Sequence, residues 1–120
     1  MAAVINLTNG AIRVIANTKQ PLHEAIDVSA FDSIDLLLSA YTLEGTSSPQ
    51  AQVQILTGMQ KDTEDGWVSA FAFATTTTAP TFTKDHITGL LRFVRWEVLN
   101  VSGTNPALTF ALNGMARQGV

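Results

Sequence analysis

Apolar and polar residues alternate with a period of two along most of this chain. That is the spacing of strands whose successive side chains point to opposite faces. Ala51, Val53 and Ile55 alternate with Gln50, Gln52 and Gln54, and Leu108, Phe110 and Leu112 share one side of a later run. Trp67, Ser69, Phe71 and Phe73 share another. Two runs are longer. From Ser33 to Leu43, Ile34, Leu36, Leu38 and Ala40 form the core side, opposite Asp35, Leu37, Ser39 and Tyr41. From Leu90 to Val101, Arg92, Val94, Trp96 and Val98 face one way, and Leu91, Phe93, Arg95, Glu97 and Leu99 the other. No stretch sustains a 3.6-residue period, and the one helical candidate is a turn within residues 21–25.

Turn residues punctuate these runs. Asn9-Gly10 sits between Val4 to Thr8 and Ala11 to Ala16, and Asn-Gly in that setting predicts a hairpin because both residues tolerate positive φ. A short strand is expected within residues 22–28 and a turn at 29–32. The most charged stretch, Gln60 to Gly66, reads as a solvent-exposed hairpin loop. The Thr-rich stretch from Thr75 to Thr83 reads as a long loop with a short edge strand at 80–83, followed by a polar turn at 84–89. One phrase occurs twice. Gly45-Thr46-Ser47-Ser48-Pro49 joins the first long run to residues 51–56, and Gly103-Thr104-Asn105-Pro106 joins the second to residues 107–112. The echo predicts two related hairpins. The whole predicts an all-β fold: a single antiparallel β-sandwich, jelly-roll-like, of about eight strands. One domain over 1–120 is expected, with 1–8 and 115–120 as candidate extended arms able to add strands to a neighbour's open edge.

Composition narrows the function classes. Charged residues make up 14% of the chain, against about 25% in a typical domain. Ser, Thr, Asn and Gln take the polar positions, and a surface of hydroxyls and amides is cheaper to desolvate than one of ions. That favours coverage by partner subunits. The net charge of −3 argues against a general nucleic-acid or anionic-membrane binder. With no Cys, disulfides and thiolate metal sites are excluded. The N-terminus has no cationic and apolar leader pattern, and no run approaches the length of a membrane-spanning helix.

Candidate chemistry is sparse. His23-Glu24 and Asp85-His86 are adjacent pairs, which in a strand point apart and make no metal site. Asp62, Glu64 and Asp65 lack the alternating oxygen ligands of a calcium loop. Asp35 and Glu97, on the two long runs, are the one carboxylate pair that a glycosidase reading can use. No nucleophile elbow, phosphate loop or dinucleotide fingerprint is present, so neither an enzyme nor a cofactor is expected. Tyr41, Trp67 and Trp96 offer a stacking platform for a sugar, or else Trp67 and Trp96 close the core. The run from Arg92 to Val98 combines arginine and aromatics as subunit interfaces do.

The order of Phe31-Asp32-Ser33-Ile34-Asp35-Leu36, Leu43 to Pro49, Gln54 to Met59, Asp65-Gly66-Trp67, Arg92-Phe93-Val94-Arg95-Trp96 and Gly103-Thr104 resembles small β-sandwich virion proteins of tailed bacteriophages. The resemblance implies a non-enzymatic capsid decoration or minor capsid protein on the capsid exterior. Its implied partners are the major capsid protein and itself, as a homo-oligomer such as a trimer, with neither nucleic acid nor membrane. The candidate interface residues are Tyr41, Arg92, Arg95, Thr77 and Thr78. The alternative is a carbohydrate-binding module or host-surface adhesin using Trp67, Trp96 and Tyr41.

Overall fold

The computed structural model describes residues 2–118, and most of them are in extended backbone. Among these residues there are eight strands: β1 (Ala2–Asn6), β2 (Ile12–Val14), β3 (Thr18–Lys19), β4 (Ile26–Asp27), β5 (Ser33–Gly58), β6 (Val68–Ala72), β7 (Thr81–Ile87) and β8 (Phe93–Arg117). One 3-10 turn covers Leu22–Glu24, within the predicted helical turn.

β5 and β8 carry the architecture. They pair antiparallel over their whole length, from Ser33 opposite Arg117 to Gly58 opposite Phe93. A straight strand of 26 residues would span about 85 Å. The longest dimension of the molecule is only 46 Å, so the ribbon is folded over. Its register slips between Ala40 and Gln52, and there it bends. One layer contains residues 33–44 of β5 and 107–117 of β8, flanked by β7 on one edge and by β1 and β2 on the other. The second contains residues 50–58 of β5 and 93–102 of β8, flanked by β6 and by β3 and β4. A bridge between Ala51 and Thr76 carries the β6–β7 segment round the same corner. The result is the all-β, jelly-roll-like sandwich that the alternation predicts.

The predicted core residues fill the space between the layers. Ile34, Leu36 and Leu38 of β5 and Leu108, Phe110 and Leu112 of β8 are buried with Val53, Ile55, Val94, Trp96 and Val98 of the other layer. The Trp96 ring meets Phe110 edge to face, with centroids 5.3 Å apart. Gln20 is buried as well. Its Nε2 donates to the Leu7 carbonyl at 2.8 Å, and its Oε1 accepts from the Trp96 amide at 3.1 Å. It thereby ties the N-terminal segment to both parts of the fold.

Four local expectations change. The repeated phrase does not make two hairpins, because the strands on either side of each copy do not pair with each other. Each copy is the corner of one long strand, and the copies pair across: Thr46 lies opposite Thr104, and Gln50 opposite Ser102. Asn9-Gly10 does not close a hairpin either. β1 and β2 both pair with β8, and between them the chain bulges outward; the Thr8 hydroxyl accepts from the Leu112 amide. The polar turn expected at 84–89 is instead mostly strand. β7 continues to Ile87, its face hidden in the sequence because Thr83 and Asp85 stand on the inner side. Finally, residues 2–6 pair with 113–117 of the same chain rather than forming free arms. Met1, Gly119 and Val120 lie outside the described residues.

The corner sets a clear stability test. Gly45 and Gly103 have φ of 119° and 114°, and a Cβ on them would lie 2.9 Å from the Thr104 carbonyl oxygen and 2.8 Å from the Pro49 Cα. Gly103→Ala should lower stability by about 3 kcal/mol or more, combining backbone strain with overpacking. Gly10→Ala, at positive φ but in open space, should cost about 1–2 kcal/mol. Urea unfolding of the two variants checks the order.

Candidate functional site

Register assigns each exposed side chain to a layer. On the outer face of the β7-bearing layer, Tyr41, Leu37 and Asp35 of β5 stand beside Phe82, Lys84 and His86 of β7, with Met115 of β8 and Val4 of β1 beyond them. Tyr41 and Phe82 touch edge to face, with centroids 6.1 Å apart. They remain 44% and 60% exposed, and Leu37 and Val4 are exposed with them. The apolar part of this face near the β7 edge is Tyr41, Phe82 and Leu37, beside Lys84 and His86, whereas Val4 lies at the opposite, β1 edge.

A polar row crosses the same face. Asp35 receives hydrogen bonds from His86 Nδ1, at 2.6 Å, and from Arg117 Nε. Three neighbouring strands are thereby tied side by side. The His86 hydrogen bond first, and the Arg117 one second, hold the Asp35 carboxyl below the usual carboxylate range.

Part of the outer face of the other layer, around Leu56, Phe93 and Arg95, is covered by the chain itself. Residues 59–67, between β5 and β6, fold back over it. The Trp67 ring lies on Gly58, where a Cβ would come within 2.9 Å of it. Trp67 donates from Nε1 to the Thr63 carbonyl at 3.0 Å. Beneath the ring is Arg95, its guanidinium carbon 5.0 Å from the ring centroid. Arg95 is only 1% exposed, and its Nη2 donates to Glu64 Oε1 at 3.0 Å. The stretch expected to be a solvent-exposed loop thus has a packed underside.

The five candidate interface residues do not share one surface. Tyr41 is on the first outer face. Arg92 is exposed, pairs with Asp27 at 3.4 Å and lies over the Phe93 ring. Arg95 is buried. Thr77 and Thr78 are exposed beside the corner, next to the buried Thr76. The aromatic trio does not form a platform either. Trp96 is in the core at 3% exposure, Trp67 covers Arg95, and Tyr41 is on the opposite layer. Asp35 and Glu97 are likewise on different layers, and Glu97 accepts from Gln54 rather than approaching Asp35. His23 stands exposed beside Glu24.

Among the hollows formed by the described residues, two are shallow and open. One of about 380 Å³ is lined by Arg13, Ile15, Asn105 and Pro106, and one of about 340 Å³ by Ser29, Phe31, Met59, Leu90, Leu91 and Arg92. Their charged members are already paired, Arg13 with Glu44 and Arg92 with Asp27. Sequence reasoning missed Phe82 and the strand position of His86; it also missed Gln20, and it weighed Glu64 only as a calcium ligand. For the first two a signal was present, since Thr81 to Ile87 has the right length and β-branched content for a strand.

No family model and no curated protein matches this chain. One solved structure it resembles is described by the words "Bacillus endospore appendages form a novel family of disulfide-linked pili", with 11% identity over 99% of this chain and 92% of that one and a TM-score of 0.46. A likeness that distant carries no function to this chain, which contains no Cys. The expectation of a phage capsid decoration protein is nevertheless overturned. The structure found is described as one of pili and not of a phage head, and neither a family model nor a curated protein supports the resemblance. The physical reason is that its residues are corner and strand residues. Gly45, Gly103, Gly58 and Trp67 serve the sandwich itself, so their order specifies a fold and not a particle.

The Asp35 row predicts a pH effect. A carboxyl whose folded pKa is depressed adds stability that is present above its unfolded pKa, near 3.9, and lost as pH falls through the folded value. Asp35→Asn should therefore be less stable than the parent near neutrality, and the gap should shrink below about pH 4. Urea midpoints between pH 2 and 7 measure it; a gap independent of pH would reject the role.

Proposed function

We propose that this chain is a non-catalytic building block that associates with further copies of itself along the β7 edge. The observation that supports this reading is the coincidence of an open, regular edge strand with the exposed Tyr41–Phe82 pair. β7 pairs with β5 over seven consecutive positions, Thr81 opposite Ala40 to Ile87 opposite Ile34, without a slip. Its far side is therefore a straight row of main-chain donors and acceptors, the feature that strand addition uses. The exposed apolar surface beside it supplies area to bury.

A second copy fits that edge in one register. A two-fold axis through Thr83 sets Lys84 of each copy opposite Phe82 of the other, an ammonium beside a ring. An axis through Lys84 opposes two ammonium groups, and one through Asp85 opposes two carboxylates. An axis through Phe82 shortens the overlap. The absence of native Cys makes the test clean. Thr83→Cys should form a disulfide-linked dimer under mild oxidation, because directly opposed residues lie within bridging range. Lys84→Cys should not. Phe82→Asp should abolish association in light scattering. A chain that stays monomeric at high concentration, with neither cysteine variant cross-linking, refutes the reading.

A further inference from the structure

We propose that Arg95 is a receptor for an oxyanion of the carboxylate or phosphate class, with the Glu64 side chain as its resident occupant. The inference is independent of the β7 edge, since Arg95 lies on the opposite layer.

A guanidinium presents five N–H donors in a rigid fork suited to two-oxygen anions. In Arg95 one nitrogen, Nη2, is used by Glu64, whereas Nε and Nη1 are buried and have no protein acceptor within hydrogen-bonding distance. A buried charge left so poorly partnered is expensive in an ordinary core. The surroundings nevertheless hold the group in place. Trp67 covers its face, and β8 fixes its root between Phe93 and Glu97.

The one acceptor it has comes from outside. Glu64 is 58% exposed at its side chain, whereas Arg95 is 1% exposed. The carboxylate reaches in from solvent at the tip of the 59–67 segment. Another oxyanion can therefore take its place by displacing a surface side chain, with the hydrophobic core left closed. An oxyanion not tied to the loop engages Nη2 first, and spans a second nitrogen when the 59–67 segment that covers Nε and Nη1 shifts.

The test uses Glu64→Gln, which retains the side chain's size and replaces the competing carboxylate by a weaker, neutral amide acceptor. At constant ionic strength, replacing sodium chloride by sodium phosphate or sodium acetate should raise the melting temperature of this variant. At a tenfold excess over Kd the rise should be about 5 °C. The parent should respond less, because its own carboxylate competes. Trp67 lies on the guanidinium, so its fluorescence should titrate with the same midpoint. Arg95→Met, which retains length and apolar bulk, should lose both responses, and circular dichroism verifies that it is folded. Phosphate and acetate acting alike identify the shared oxyanion chemistry, and phosphate alone acting narrows it to phosphate. Identical melting in chloride, phosphate and acetate for Glu64→Gln overturns the proposal. So does an equal response in folded Arg95→Met, which would mark an adventitious ion only.

Discussion

The fold rests on the close approach of two backbones at one corner. β5 and β8 must turn together, because each is the other's hydrogen-bonding partner on both sides of the bend. Gly45 is pressed against the Thr104 and Asn105 carbonyls, and Gly103 against Pro49. Neither strand can turn unless the other lacks a side chain at the point of contact. Positive φ at Ser47, Ser48 and Asn105 completes the turn with short polar residues, of which Asn adopts that region more readily than most. Once the corner is set, the inner faces of the two halves meet, and the contact of Trp96 with Phe110 follows from geometry.

Bending a ribbon breaks its ladder, and the broken bonds must be made elsewhere. Polar side chains do this. The Thr8 hydroxyl takes the Leu112 amide where β1 leaves β8, and Asn17 takes the Val101 amide beside the corner. Thr57 accepts from the Leu91 amide and donates to the Phe93 carbonyl where β8 begins. Gln52 donates to the Phe73 carbonyl beyond the end of β6, and Gln20 serves Leu7 and Trp96. A chain rich in Thr, Asn and Gln and poor in charge is what such repairs require. An amide or hydroxyl can be buried with one or two hydrogen bonds, whereas an ion cannot be buried so cheaply. The composition thus reflects the inside of the fold as much as its surface.

This explains what could be read in advance. Inner faces were legible wherever alternation was backed by apolar residues, as in Ile34 to Ala40, Ala51 to Ile55 and Leu108 to Leu112. The corner was visible as a repeated phrase, but its meaning was not, since Gly-Thr followed by Pro fits a hairpin turn and a bend equally well. Only pairing distinguishes the two, and pairing is non-local. β7 is hard to read because its inner face carries Thr81, Thr83 and Asp85, so no apolar contrast marks its period. Alternation places Arg95 on its outer strand face, but its burial depends on residues 59–67 folding back over it. Nothing within the Arg92 to Val98 run encodes that.

The edges of the two layers are not alike, and the difference singles out β7. On the β8 side the edge is divided into four short strands, of five, three, two and two residues, separated by bulges and a 3-10 turn. On the far side of the second layer, β6 slips register between Ile55 and Leu56 of its partner. Short, interrupted and bulged strands are poor templates for another chain. β7 alone is seven residues long and unslipped, with one Lys at its centre as its chief deterrent. A single central Lys blocks the in-register alignment on itself, yet tolerates a shift of two residues that places it against an aromatic ring. The edge is thus selective in how it pairs rather than closed to pairing, which is the property that a self-associating block needs.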